Sequence, residues 1–267
     1  MKETPEDLLC FAVKTAQDAG KLLQERFHQP HQIRFKGAID LVTEADRLSE
    51  ALILSRIRDA FPRHDILTEE SAQDDTGSVW RWVIDPLDGT TNYAHGFPFF
   101  CVSMALECRG EVLLGVVHHP LLNETFTACK GRGAALNGAR IHVSRIADVS
   151  RSLLATGFPY DIRESRDDNV NNFIALAKRA QAVRRAGAAA LDLAYTAAGR
   201  FDGFWELKLA PWDMAAGVLL VTEAGGRASD LFGGPFSLGV PHVLATNGAI
   251  HKEMAGILRV ANEIGEG

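Results

Sequence analysis

Between His64 and about Val143 five runs follow one another, "DILT", "VWRWVI", "FCVSMALEC", "EVLLGVVHH" and "TFTAC", with turn residues between them. Short runs rich in β-branched and aromatic residues, each cut off by turn residues, bury themselves as strands, and short connections make sequential strands antiparallel neighbours. No other stretch restricts the fold as strongly. The spacing predicts an antiparallel sheet here, and the rest of the chain must cover its faces.

What precedes the sheet reads as helix. Thr4 can cap a first helix with Pro5 in its first turn, and Leu8, Leu9, Ala12, Ala16, Ala19, Leu23 and Phe27 give it an apolar stripe ending near His28. A second helix is expected from Thr43, with Glu44 and Asp46 in its first turn, Leu48, Ala51, Leu52 and Ile57 buried, and "FPR" stopping it. Beyond Val143 strands and helices alternate. The strand candidates are "SLLATGF", "GFWEL", "GRASD" and "HVLATN"; helices are expected near 168–180, 188–199, 212–224 and 250–262, with Gly225 and Gly226 closing the third. The expected class is α/β, an N-terminal antiparallel sheet half (1–145) and a C-terminal α/β half (146–267) with a soft boundary near 143–151.

Composition narrows the function. A hydrophobic content of 46% suffices for a continuous core, and no apolar run reaches the roughly 20 residues that cross a bilayer. The start, "MKETPEDLLC", lacks the order of a signal peptide, so a cytoplasmic protein with no membrane partner is expected. A net charge of −6 argues against nucleic acid as the main ligand. Cys10, Cys101, Cys108 and Cys129 show no CxxC spacing and read as reduced core thiols. His118 and His119 lie where a strand ends, without a HExxH helix, and read as turn or surface residues.

The acids carry the chemistry. Asp85 and Asp88 crowd into "IDPLDGTTN" directly after an apolar strand; Asp-Pro and Asp-Gly are also ordinary turn dipeptides. Glu69 and Glu70 follow "DILT", and Asp213 opens an apolar helix in "APWDMAAG". Singly, Glu69 reads as a solvated loop acid and Asp213 as an acid favoured by the helix dipole. Together, Glu69, Asp85, Asp88 and Asp213 would make an all-oxygen negative pocket, costly unless cations fill it, and hard oxygen donors without Cys or His select magnesium or manganese over zinc.

The segments "DLVTEAD" (Asp40 to Asp46), "EES" (Glu69 to Ser71), "DPLDGTTN" (Asp85 to Asn92) and "WDMAAG" (Trp212 to Gly217) resemble, in order and spacing, the motifs of the inositol monophosphatase family. The similarity runs from about residue 5 to 262. It implies a layered αβαβα sandwich, a magnesium-dependent, lithium-sensitive phosphatase that hydrolyses myo-inositol monophosphate, and a homodimer. By the resemblance, Glu69, Asp85 and the backbone carbonyl of Leu87 bind one magnesium ion, and Asp85, Asp88 and Asp213 bind a second. Glu69 also holds the activated water or a weaker third ion, and manganese can replace magnesium. Thr90, partnered by Asp46, orients the nucleophilic water. Asp46 is equally a capping-box acid for Thr43, and Thr90 a plain turn or helix cap. Gly89, Thr90 and Thr91 offer backbone N–H groups to the phosphate at a helix start. Glu206 and the backbone at Ala189 match contacts to the substrate's sugar hydroxyls, and Asp88 also counts among the substrate-binding positions that the resemblance implies.

Glu206 is also explained as a strand-end carboxylate balanced by Lys208, which stands where several members have glycine and could meet a second anionic group. The Lys36–Gly37 loop could close over the phosphate or be an ordinary turn, and "TGFPYD" (Thr156 to Asp161) is expected to line the cleft. The run "KRAQAVRRAG" (Lys178 to Gly187) reads as a solvated basic face or an attractor of anions. The metal motif does not separate inositol monophosphate from fructose 1,6-bisphosphate, adenosine 3',5'-bisphosphate, histidinol phosphate or a dinucleotide phosphate. Two readings of other classes stand beside it. One is an aspartyl-phosphate mechanism, disfavoured because two residues, Pro86 and Leu87, separate the acids where DxDGT needs one; the other is a non-catalytic regulatory or protein-binding scaffold.

Overall fold

A computed structural model describes residues 4–29, 33–35, 41–71 and 76–265. The first part of the chain supplies α1 (Pro5–Arg26), β1 (Ile33–Phe35), β2 (Leu41–Thr43), α2 (Glu44–Ala60), β3 (Asp65–Thr68), β4 (Trp80–Asp88) and α3 (Thr90–Ala94). Then come β5 (Cys101–Cys108), β6 (Glu111–His119), β7 (Glu124–Cys129), β8 (Gly133–Leu136) and β9 (Ala139–Arg140). After a 3-10 turn at Val149–Arg151 follow β10 (Leu153–Thr156), α4 (Val170–Ala177), β11 (Ala182–Arg184), α5 (Ala189–Ala197) and β12 (Gly203–Leu207). The chain ends in α6 (Pro211–Glu223), β13 (Arg227–Ser229), β14 (His242–Thr246) and α7 (His251–Gly265).

β3 to β9 form a seven-stranded sheet in chain order, β11-β10-β12-β14-β13 a five-stranded one, and β1 pairs with β2. Side chains alternate across the larger sheet, as period-two strands require. Trp82, Ile84, Val102, Met104 and Leu106 pack with α1 and α2, whereas Val83, Cys101, Ala105, Val117 and Phe126 pack with α5 and α6. α5 and α6 also bury Ala155, Phe204, Val243 and Ala245 of the smaller sheet, whose other face holds Trp205 and Leu244 against Leu176 of α4 and Met254 and Leu258 of α7. The result is the expected αβαβα layering. Gly115 of β6 lets α6 approach the sheet: a Cβ there would lie 2.8 Å from the Ala216 Cα.

One pairing departs from the sequence reading. β3 runs parallel to β4, with Thr68 opposite Ile84, so β4 starts at the same end of the sheet as β3. The residues that follow this register are Glu69 and Asp85, so the parallel edge brings them to the same end of the sheet. The short strands β1, β2, β8, β9 and β11 were not expected.

α2 also buries a different face from the expected one. Ile57 is buried, but Ala51 is exposed and Leu48 and Leu52 are half-buried, while Ala45, Asp46, Ser49, Glu50, Ile53 and Leu54 face inward. Cys101 and Cys129 are buried and all four thiols are free, but Cys10 is exposed, two residues past Leu8 and so on the far side of the α1 stripe. His118 and His119 are buried, not surface residues, because β6 runs through them; His118 lies against Gly20 of α1 and His119 against Phe99 and Phe100. No helix among the described residues is long and apolar enough to cross a membrane.

Candidate active site

β4 pairs with β5 in register as far as Asp85 opposite Ser103, then shifts so that Asp88 faces Cys101. Pro86 and Leu87 thus oppose Val102 alone. Proline has no N–H for the ladder, and one extra residue makes the strand bulge. The Leu87 N–H donates to Asp85 Oδ1 at 2.9 Å and tightens this bend. Gly89 follows with φ of 94°, a left-handed conformation that glycine adopts without cost, and caps α3. A Cβ there would come within 3.0 Å of the Phe99 carbonyl oxygen.

The acids meet at this end of the sheet. Asp85 is 2% exposed and Asp88 7%, while Asp213 sits in the first turn of α6 and opens on a cleft. Desolvation pushes the Asp85 carboxyl well above its ordinary range, and the charges of Glu69, Asp88 and Asp213 push it further, against one N–H from Leu87. Asp213 is raised in the same way, by desolvation and then by Asp88, while the Ala210 N–H at 2.7 Å partly offsets this. Asp88 rises to about 6 through burial, moderated by the Ala190 N–H at 2.8 Å, the Cys101 thiol and the amides of Ala189 and Leu191 at the start of α5.

These side chains lie within electrostatic reach of one another without being drawn together as a ready-made socket: among the described residues no three His, Cys, Asp or Glu side chains form one. Each of Asp85, Asp88 and Asp213 instead accepts a backbone N–H. A buried, mutually repelling, oxygen-only set fits a hard divalent cation, which would relieve the repulsion that protons otherwise relieve.

Asp46 combines its two expected roles. Its Oδ2 accepts from the Thr43 N–H at 2.8 Å and the Thr43 hydroxyl at 2.6 Å, completing the capping box of α2, while Oδ1 accepts from the Thr90 hydroxyl at 2.9 Å. Burial raises the Asp46 carboxyl, and these bonds pull it back. The same Thr90 hydroxyl lies 3.1 Å from the Leu87 carbonyl oxygen.

The cleft, about 130 Å³, is lined by Asp88, Gly89, Thr91, Ala189, Glu206 and Asp213 among others. Gly157 to Tyr160 form one wall, as expected of "TGFPYD". Glu206 lies over Gly157, its carboxyl in the space that a Cβ there would need, and that carboxyl is pushed well up by desolvation, then by Asp213 and Asp88, with Arg185 opposing. Lys208 does not balance it. Its ammonium donates to both Asp161 oxygens at 2.9 and 2.6 Å and to Ser165, and its φ of 57° explains why glycine suits the position. Lys178, Arg179, Arg184 and Arg185 are exposed, as a solvated basic face requires, and Arg185 also borders the cleft. Lys36 and Gly37 lie outside the described residues.

Sequence reasoning missed several residues here. Asn92 Nδ2 donates to the carbonyls of Phe99, Ala186 and Gly187 at 2.7, 2.8 and 3.2 Å, tying α3 to the approach of α5. Ser49 donates to the Pro86 carbonyl at 2.7 Å, and Glu50 accepts from Thr68 and Ser71. The spacing of Ser49 and Glu50 from Asp46, three and four residues, was the available signal.

Asp192, an acid inside "AAALDLAY", is 1% exposed, and its Oδ1 has no hydrogen-bond partner among the described residues. Desolvation, then Glu206 and Asp88, raise it far, with Arg185 opposing. An acid raised on folding contributes fully below its unfolded value of about 3.9 and loses that contribution as pH rises. Asp192→Asn escapes this loss. In EDTA, its gain in Tm over the parent is expected to be larger at pH 8 than at pH 4.5; equal gains at both would show that Asp192 titrates alike folded and unfolded.

The molecule is thus a two-sheet sandwich with a buried acidic centre at the bulged end of β4. The chain belongs to the inositol monophosphatase family, whose model matches residues 4–265. It is 43% identical over 255 residues to Nus factor SuhB of Escherichia coli (strain K12), covering 94% of this chain and 96% of the relative. It is 45% identical over 260 residues to Inositol-1-monophosphatase of Synechocystis sp. (strain ATCC 27184 / PCC 6803 / Kazusa), with 96% and 91% covered. The solved inositol monophosphatase from Anabaena (Nostoc) sp. PCC 7120 superposes with a TM-score of 0.88 at 43% identity, over 96% of both chains.

Proposed function

We propose that the protein is a magnesium-dependent phosphomonoesterase acting on myo-inositol monophosphate. The observation that carries this reading is that Asp85, Asp88 and Asp213, each carboxyl raised by burial, stand within electrostatic reach of one another, with Asp88 and Asp213 lining a polar cleft and Thr90 hydrogen-bonded to Asp46 nearby. Family membership and the Synechocystis relative's name support it.

Magnesium, when bound, supplies positive charge for the phosphate and a water acidic enough to attack near neutral pH. Glu69, Asp85 and the Leu87 carbonyl would hold one ion, and Asp85, Asp88 and Asp213 another. Thr90 gives its hydroxyl hydrogen to Asp46 Oδ1, so a lone pair on Oγ1 is left to accept from the attacking water and aim it. The N–H groups of Gly89, Thr90 and Thr91 receive the phosphate, and no side chain needs to form a covalent bond. Glu206 and the backbone at Ala189 face the polyol, and a homodimer belongs to the same reading.

The test is phosphate release from inositol 1-phosphate, fructose 1,6-bisphosphate, adenosine 3',5'-bisphosphate and histidinol phosphate, with magnesium, with EDTA and with added lithium. Magnesium-dependent, lithium-sensitive release favouring inositol 1-phosphate is expected. Activity on another substrate keeps the chemistry and moves the specificity. Silence on all would favour a regulatory scaffold, a reading to which relatives named Nus factor SuhB lend weight. Glu206→Ala is expected to narrow the preference for inositol 1-phosphate about tenfold through loss of a hydrogen bond to the sugar. An unaltered ranking of kcat/KM values would retire that role.

A further inference from the structure

α2 turns three polar side chains inward, Asp46, Ser49 and Glu50, on the face that also carries Ile53 and Ile57. Asp46 reaches Thr90 and Ser49 reaches the Pro86 carbonyl, so two of the three hold the segment that carries Asp85 and Asp88. The third serves a different segment. Glu50, 7% exposed, accepts with a single oxygen, Oε1, from the Thr68 hydroxyl at 2.9 Å and the Ser71 hydroxyl at 3.2 Å. Thr68 is the last residue of β3, and Ser71 lies just beyond Glu69 and Glu70. One carboxylate oxygen therefore fastens the chain on both sides of these two acids.

The position of that fastening matters because Glu69 is the charged neighbour that acts most strongly on Asp85. A helix that only had to pack on the edge of the sheet would do so with apolar side chains, since a buried carboxylate is costly even when hydrogen-bonded. The cost is explained if the bend after β3 must hold one shape. We infer that Glu50 is a positioning residue that fixes the Glu69 bend through Thr68 and Ser71, and so sets the affinity of the acidic pocket for a divalent cation, without touching cation or substrate. α2 is then a common template for both acid-bearing segments of the larger sheet. The inference rests on the phosphatase reading only in requiring that this pocket takes up such a cation.

The experiment is a titration of the intact, metal-free protein with Mn²⁺, following free Mn²⁺ by its electron paramagnetic resonance signal, together with magnesium activation curves and thermal melts. Glu50→Ala is expected to weaken Mn²⁺ binding about tenfold to a hundredfold, the usual effect of removing a residue behind a metal ligand. Glu50→Gln keeps an oxygen that can accept from both hydroxyls and is expected to restore most of the affinity. At saturating magnesium, KM for the substrate should stay within about twofold of the parent, since Glu50 does not reach it.

Ser71→Ala, at an exposed position, removes one of the two donors and is expected to weaken Mn²⁺ several-fold; it carries the test if Glu50→Ala does not fold. Unchanged Mn²⁺ affinity in both Glu50→Ala and Ser71→Ala overturns the inference, as does Glu50→Gln binding as weakly as Glu50→Ala. Those outcomes leave the phosphatase reading intact. A parent protein that neither binds Mn²⁺ nor releases phosphate would remove both.

Discussion

Asp85→Ala and Asp213→Ala are each expected to lower phosphate release by about a thousandfold or more, while the metal-free protein melts no lower than the parent. The activity loss corresponds to at least about 4 kcal/mol of transition-state stabilisation, a reasonable share for one ligand of a catalytic cation. The stability half has the opposite sign from most core truncations. Both carboxyls are raised by burial and by neighbouring acids, Glu69 and Asp88 among them, so in the metal-free state each ionised form is a destabilising presence that alanine removes. Against this stand a small packing loss and the loss of one hydrogen bond each, from the Leu87 N–H to Asp85 and from the Ala210 N–H to Asp213. Melts in EDTA and kcat/KM in magnesium check the two halves separately. Turnover within tenfold of the parent in either variant would remove that residue from the reaction, and a collapse of the fold would show that the acid is structural.

The second large effect is one of pH. With Asp88 at about 6 and Asp85 and Asp213 raised well above their ordinary range, a cation entering the pocket must displace protons. Below the folded pKa each displaced proton costs about a factor of ten in apparent affinity per pH unit. Half-saturating magnesium is therefore expected to rise at least about tenfold between pH 7.5 and pH 5. In EDTA the trend in stability is reversed. Acids raised on folding contribute most at low pH and lose that contribution as pH climbs through their folded values, so the metal-free Tm should fall from pH 4.5 to pH 7.5, and saturating magnesium should cancel the fall. Magnesium activation curves and melts across this range measure both, and a half-saturating concentration independent of pH would mean that the acids are already ionised.

The strands that build the larger sheet were legible because β4, β5 and β6 are long enough for apolar runs to stand out between turns. β8, β9 and β11 were not, since two to four residues carry no period. The parallel direction of β3 escaped for another reason: four residues, "DILT", carry no signal of direction, which only the register against β4 reveals. In the site, the acid-bearing motifs were visible because acids after apolar strands are locally anomalous. Ser49 and Glu50 were not, because polar residues on a helix normally read as solvent-facing and only the tertiary position of α2 makes that face internal. His118 and His119 were misjudged likewise: both end a strand in sequence, yet α1 and the Phe99–Phe100 turn cover that end.

α6 lies between the two sheets and opens with Asp213. During synthesis, Glu69, Asp85 and Asp88 leave the ribosome more than a hundred residues before that helix does. Until it arrives, the nascent N-terminal sheet has one face, that of Val83, Ala105, Val117 and Phe126, without its native cover, and an acidic edge without its fourth carboxylate. A ribosome stalled in this interval would therefore present a sticky half-sandwich to chaperones and proteases. On the proposed reading, uptake of a cation would then mark the moment at which α6 has slid into place between the sheets.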